Sequence, residues 1–239
     1  VPPTRMMRPL PSPPRLLRDM SPSHSSARVK ICGLKTPETV TAAVNAGADY
    51  LGFNFYPRSP RYVSLDTAAA LARLVPPNVL KVSLTVDDDN ATIDAIVAAL
   101  KPDILQLHGN ETPARLLELK ARYGLTLMKA IPISGPEDLE KITLYHDSAD
   151  LLLFDAKPPK SMENALPGGN GLAFDWSLLA GQKPDTPWML SGGLDPANVA
   201  EAIRVTGAEA VDVSSGVETA PGVKDRALIE KFIAAAKSA

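Results

Sequence analysis

The chain has 239 residues, enough for one large domain or two small ones, and α/β barrels commonly reach this size as a single unit. With 25 basic against 27 acidic residues, and with 45% apolar and 22% charged residues, it reads as a soluble globular protein. That balance gives no global pull toward nucleic acid or an anionic membrane.

No apolar run reaches the roughly 18 residues of a spanning helix. A single cysteine makes no internal disulfide, and His24, His108 and His146 lie too scattered for zinc-ligand spacing. A reducing, cytoplasmic setting and a protein without metal are therefore expected.

The first 26 residues stand apart, with Pro2, Pro3, Pro9, Pro11, Pro13, Pro14 and Pro22 set among Arg5, Arg8, Arg15 and Arg18. This proline density prevents the amphipathic helix of an organelle transit peptide, and no apolar segment suits secretion. The segment is expected to be a disordered leader (1–26) ahead of one folded domain (27–239).

From Val29 onward, apolar runs alternate with helix-like stretches. Val29–Cys32 reads as a strand, followed by a helix with Thr36 as N-cap, Pro37 at its first position and Gly47 as terminator. Asp49–Phe55 is a second strand. A helix from about Asp66 to Leu74 stops at Pro76-Pro77, and Val79–Val86 is a third strand. Asp89 caps a helix with Ile93, Ile96, Val97 and Leu100 on one face, and Asp103–Leu107 follows as a strand.

Thr112-Pro113 opens a helix that Gly124 closes, and Leu125–Ile131 is a strand. A capping box from Ser134 to Glu137 then starts a helix reaching about Leu144. Leu151–Phe154 is a strand ending at Asp155, a short helix follows Asp175, and Trp188–Leu190 is the seventh strand. Asp195-Pro196 opens a helix that Gly207 closes, Glu209–Val213 is the eighth strand, and a last helix runs from about Asp225 to Lys237.

Ala46-Gly47-Ala48-Asp49 and Thr206-Gly207-Ala208-Glu209 repeat one helix exit and strand entry, as in a chain built from a single βα unit. Eight strands, each followed by a helix, are the tally of an α/β protein of the (β/α)8 TIM barrel type. The main alternative is a doubly wound open sheet, weakened by the lack of a G-x-G-x-x-G after the first strand. A barrel places function at the C-terminal ends of its strands, with phosphate near the last two βα loops.

At those ends lie the residues that can carry chemistry. Cys32, the lone thiol, closes the first strand; taken alone it is more readily a small core residue. Ser191-Gly192-Gly193 and Asp212-Val213-Ser214-Ser215-Gly216 end the last two strands. Their glycines and serines let backbone N–H groups converge on an anion, and the pair favours a phosphate cradle over two tight turns.

Asp155 would be half desolvated at the mouth, suited to a general acid or simply to capping a turn. The stretch from Ala156 to Gly171 is the longest connection, either a lid or a passive surface loop. Arg58 and Arg61, in an aromatic, proline-stiffened loop, can clamp a carboxylate or remain solvated. Gln106 and His108 point toward the same mouth, as ligands or as satisfied polar groups.

Together Val29-Lys-Ile-Cys-Gly33, Gly52-Phe-Asn-Phe-Tyr-Pro57, Ser59-Pro-Arg-Tyr62, Gln106-Leu-His-Gly109, Phe154-Asp-Ala-Lys157, Phe174-Asp-Trp176, Ser191-Gly-Gly-Leu194 and Asp212–Glu218 resemble the phosphoribosylanthranilate isomerases of tryptophan biosynthesis. The resemblance spans Arg28 to the C-terminus, with no counterpart for the leader. Asn54 and Leu84 depart from the family pattern and are expected to alter barrel packing without carrying chemistry.

The resemblance implies an Amadori rearrangement of N-(5-phosphoribosyl)anthranilate, without cofactor, by a monomer or homodimer. Asp155 is implied as the general acid that opens the furanose ring, and Cys32 as the general base that removes the proton beside the resulting imine. A thiol needs only a modestly depressed pKa for that task. Lys30 faces the same side as Cys32 and is counted with the substrate-binding residues. Gly192, Gly193, Ser214, Ser215 and Gly216 would hold the phosphate, Arg61 the anthranilate carboxylate, and Gln106, His108 and Asp212 complete the binding set.

Two other readings stand beside it. One is a related phosphosugar barrel, such as an indoleglycerol phosphate synthase or an aminoaldose isomerase of histidine biosynthesis. These share the cradle but do not use a cysteine on the first strand. The other is a barrel that only binds a phosphorylated metabolite or a protein partner.

Overall fold

The computed structural model describes residues 26–159, 161, 166, 168–182 and 184–239. The expected leader lies, but for Ser26, outside the described residues. Side-chain alternation makes the barrel. In β1 (Arg28–Cys32), Val29 and Ile31 join the apolar layer between strands and helices, while Lys30 and Cys32 take the inward positions.

The same two-residue period repeats through β2 (Tyr50–Asn54), β3 (Leu80–Thr85), β4 (Ile104–Leu107), β5 (Thr126–Ile133), β6 (Leu151–Ala156), β7 (Trp188–Leu190) and β8 (Ala210–Val213). These eight strands pair in parallel in sequence order and close through β1 and β8, with Lys30 opposite Asp212 and Val29 opposite Val211. The closed barrel rules out the open-sheet alternative.

Two apolar bodies follow from this alternation. Outside the barrel, Leu51, Phe53, Leu105, Leu127, Leu152, Phe154 and Val211 pack against the helices. Inside, Tyr50, Val82, Ile104, Met128, Leu151, Leu153, Met189 and Ala210 form a separate plug. The barrel is therefore filled at its lower levels, and the inward positions above the plug are Cys32, Asn54, Leu84, Gln106, Asp155, Ser191 and Asp212. The inward side chains that open to a cavity are those of the C-terminal rim, where barrel enzymes carry their chemistry.

The helices α1 (Pro37–Ala46), α2 (Leu65–Ala72), α3 (Asn90–Leu100) and α4 (Pro113–Tyr123) begin at side-chain caps from Thr36, Ser64, Asp89 and Thr112. α7 (Arg226–Lys237) begins at a cap from Asp225. Left-handed Gly47, Gly124 and Gly207 end α1, α4 and α6 (Val199–Thr206), as the sequence implied.

Two local expectations fail. Ser134 forms no capping box with Glu137. Its backbone N and Oγ instead donate to Asp138 at 3.0 and 2.8 Å, and the chain makes a 3-10 turn (Pro136–Leu139) before the short α5 (Glu140–Tyr145). Asp195 does not open α6: it accepts from the N–H groups of Ala197 and Asn198, so the turn is capped first and the helix starts at Val199. The short helix expected after Asp175 forms as a 3-10 turn (Trp176–Leu179), with the Asp175 side chain accepting from Ser177 N at 2.9 Å.

Candidate active site

The rim encloses a small cavity that opens to solvent. Cys32, Arg61, Gln106, His108, Asp155, Gly192, Gly193, Asp212, Ser214 and Ser215 all line it. The structure thus gathers ten of the sequence-derived site residues from six strands or the loops after them.

Two others are not on its wall. Lys30 is fully buried and absent from the cavity lining, although its register partner Asp212 reaches it. Gly216 turns its Cα toward the Leu194 carbonyl, where a Cβ would meet the oxygen at 1.9 Å, so its role is a close backbone approach rather than the cavity surface.

Cys32 is 4% exposed and its inward position overlooks Gly52 of β2, where a Cβ would approach the sulfur to 3.0 Å. Burial pushes the thiol above its ordinary pKa, partly countered by the Lys30 ammonium. This corrects the expected depression: losing water disfavours the thiolate more than the neighbouring cations favour it.

Below, Lys30 Nζ donates to Asp212 Oδ1 at 2.9 Å, and Ser191 Oγ donates to Asp212 Oδ2 at 3.3 Å. Burial alone would lower the Lys30 ammonium, but Asp212 and Cys32 outweigh it and leave its pKa raised.

Asp155 ends β6 across the mouth. One carboxylate oxygen accepts the N–H of Ala156 at 2.9 Å, and the other lies 3.3 Å from His108 Nε2. Gln106 Nε2 sits 3.0 Å from His108 Nδ1. With the amide donating, Nδ1 accepts and the ring hydrogen is on Nε2, facing Asp155. The sequence left Gln106 and His108 open between ligand and satisfied polar group; they form a chain that orients the carboxylate. Gly168 lies on this pair, and a Cβ there would come within 2.6 Å of both Asp155 Oδ2 and His108 Nε2.

Arg61 is only 4% exposed, and Glu218 accepts its Nε and Nη2 at 2.8 Å each in a two-point pair. Its Nη1 faces Gly169, where a Cβ would approach to 2.6 Å. The solvated alternative is excluded, and the guanidinium offers one corner rather than its whole fork to the cavity. Arg58 is exposed and absent from the cavity wall.

Glu218 also accepts from Lys224 Nζ at 2.8 Å, and burial of its carboxylate is outweighed by Arg61 and Lys224, so its pKa is lowered. Lys224 further donates to the Ser214 carbonyl at 2.8 Å, fixing the β8 loop. Glu218 and Lys224 lie in the two-stranded β9 (Glu218–Ala220) and β10 (Val223–Lys224); the sequence placed Glu218 at the end of the β8 motif without a role and did not single out Lys224. Asn54, expected only to alter barrel packing, also shapes the site. Its side chain accepts from Tyr56 N at 2.8 Å and donates to Ser59 Oγ at 3.2 Å, shaping the loop that delivers Arg61.

The cradle is built from backbone. Gly192 and Gly193 have φ of +87° and +65°, and Cβ atoms there would meet the N atoms of Ala156 and Ala173 at 2.6 and 2.7 Å. Asn198 Nδ2 donates to the Gly193 carbonyl at 2.9 Å, tying the loop to the start of α6. Ser214 and Ser215 open a 3-10 turn (Ser215–Val217) beside it.

A closed (β/α)8 barrel with a cavity at its polar C-terminal rim defines the class of barrel enzymes that work at the C-terminal face of their strands. Within that class, the family model described as N-(5'phosphoribosyl)anthranilate (PRA) isomerase matches residues 29–235. A curated relative from Parvibaculum lavamentivorans, named N-(5'-phosphoribosyl)anthranilate isomerase, is 69% identical over 90% of this chain and 100% of its own. Another of that name, from Paracoccus denitrificans, is 58% identical over 87% of this chain and 96% of its own.

Among solved structures, phosphoribosyl anthranilate isomerase from Thermotoga maritima superposes with a TM-score of 0.79 at 37% identity, over 89% of this chain and 100% of that one. A structure of the same enzyme in complex with reduced 1-(o-carboxyphenylamino)-1-deoxyribulose 5-phosphate gives 0.75 at 35% identity, over 89% and 100%. The chain belongs to the N-(5'-phosphoribosyl)anthranilate isomerase family.

Proposed function

We infer that this chain isomerises N-(5'-phosphoribosyl)anthranilate to 1-(2-carboxyphenylamino)-1-deoxyribulose 5-phosphate, a step of tryptophan biosynthesis. The observation that carries the reading is a thiol and a carboxylate at separate points of one rim, with a glycine-serine cradle between β7 and β8. Asp155, steadied by the Ala156 N–H and by His108, delivers a proton to the furanose ring oxygen. The C–O bond breaks, the nitrogen lone pair forms an imine with C1', and the ring opens. Cys32 then removes the C2' proton, and its bond electrons pass toward nitrogen to give the enol-amine that tautomerises to the ketone.

The Gly192, Gly193, Ser214 and Ser215 backbones receive the phosphate, the open corner of Arg61 meets the anthranilate carboxylate, and Asp212 lies within reach of the ribose. Its partner is this small phosphorylated molecule, in the cytoplasm, with the chain acting as a monomer or homodimer. The Thermotoga maritima enzyme is described as dimeric, with monomers generated from it. Among the described residues no helix is long and apolar enough to cross a membrane.

The related phosphosugar barrels are disfavoured by Cys32 on β1, and a merely binding barrel by the retained acid and base. Complementation of a tryptophan auxotroph lacking this step tests the reading. Growth without tryptophan is expected, and its absence with a stably expressed chain would contradict the assignment.

A further inference from the structure

Lys30 is a buried cation that the reaction above leaves without a part. It lies on β1, two residues before Cys32 and on the same inward side, with its side chain fully removed from solvent. Because it is absent from the cavity wall, it touches no ligand there. An ammonium has three donors. One reaches Asp212 Oδ1 at 2.9 Å, directly across the β1–β8 register, and the charge acts on the Cys32 sulfur, two residues along the same inward face.

Packing alone does not call for this residue. The layer just below is apolar, with Tyr50, Val82, Met128 and Met189, and a buried ion pair is commonly replaceable by apolar side chains at little or no loss of stability.

We propose that Lys30 is a positioning residue for the isomerisation: from outside the cavity lining its ammonium holds and stabilises the Cys32 thiolate, while Asp212 fixes the ammonium in place. The inference rests on Cys32 serving as the base. Before proton transfer the site holds an ammonium, a carboxylate and a thiolate. After the C2' proton has moved to sulfur, a neutral Lys30–Asp212 pair remains under a thiol, so no unpaired charge is left buried.

The other charged groups around the sulfur are placed differently. Asp212, from β8, opposes the thiolate. Lys224, from β10, attracts it but is bonded to Glu218 and to the Ser214 carbonyl at 2.8 Å each. β2 presents only Gly52. Of the two cations, Lys30 shares the strand and inward face of Cys32 and has the stronger influence on its sulfur.

Cys32 is the single cysteine of the chain, so its titration can be read in the intact protein. The test follows ultraviolet thiolate absorbance and the rate of iodoacetamide alkylation against pH in the native protein, in Lys30→Met, in Asp212→Asn and in the double variant. The midpoint should rise by about one unit or more in Lys30→Met and fall in Asp212→Asn. The double variant leaves neither charge unpaired and serves if Lys30→Met alone fails to fold. Its midpoint should still rise, because the cation outweighs the carboxylate at the sulfur.

For Lys30→Met, kcat/KM at neutral pH should drop roughly tenfold per unit of that rise, recovering as pH is raised, with KM little altered. An unmoved midpoint in Lys30→Met and in the double variant overturns the inference and leaves the isomerase reading intact. A raised midpoint with unaltered kcat/KM overturns the assignment of Cys32 as base, and the inference with it.

Discussion

Cys32 meets two opposing demands, since a base must be ionised to work and burial disfavours ionisation. With 4% of its surface exposed, the thiol is held above its ordinary pKa despite Lys30. The consequence has a definite sign. Raising the pKa keeps the proton on sulfur at neutral pH, so the competent form accumulates as pH increases. The pH profile of kcat/KM is expected to climb through an alkaline limb lying above the usual thiol value of about 8.5. A limb below that value, measured on the free enzyme, would show the pKa to be depressed instead. Cys32 was legible as a rim residue from its place at a strand end. Its ionisation was not, because the loss of water depends on what the closed barrel stacks around it.

At the scale of elements, short segments of backbone hold the reacting groups by close contact. Gly168 lies against the Asp155–His108 pair, so Gly168→Ala should displace the carboxylate from its place on the rim. The expected result is a fall in kcat of about tenfold or more with the thermal unfolding midpoint nearly unchanged, since small misplacements of reacting groups are costly. The turn after β5 makes a different contribution. Burial would raise the Asp138 carboxyl, but bonds from Lys141, Ser134 and Lys157 outweigh it and hold it well below the usual carboxylate range.

A depressed folded-state pKa stabilises above the unfolded value of about 4, and that stabilisation is lost as pH falls toward the folded one. Asp138→Asn should therefore lower stability at pH 7 by about 1–3 kcal/mol, with a shallower loss on acidification, both read from denaturant unfolding at several pH values. Both lysines are partly exposed and screened, which favours the lower part of that range.

These two turns also mark where local patterns mislead. Ser134 with Glu137, and Asp195 with Pro196, satisfy rules for starting a helix that a capped turn satisfies equally well. In each case a neighbour a residue or three further on, Asp138 or Asn198, takes the bond that decides the geometry.

Over the whole molecule, the period-2 runs and their glycine and proline punctuation made the eight strands and the closed order readable, because each strand meets only its sequence neighbours apart from β1 with β8. What could not be read is what closure brings together. Arg61 and Glu218 are 157 positions apart, and Lys30 and Asp212 are 182 apart. Lys30 and Asp212 meet through the β1–β8 register, and Arg61 and Glu218 through the segments that follow β2 and β8. Asn54, expected to affect packing alone, shapes the Arg61 loop because β2 ends at the rim and its side chain bonds the residues that follow.

The same closure sets Cys32 and Asp155 at different points around a single cavity, and their division of labour is the core of the account. It is tested most directly by steady-state turnover of N-(5'-phosphoribosyl)anthranilate by the native chain, Cys32→Ala and Asp155→Asn. Each substitution is expected to lower kcat by about 10²–10⁴-fold while leaving the far-ultraviolet circular dichroism unchanged. Near-native turnover by a folded Cys32→Ala or Asp155→Asn enzyme would contradict it.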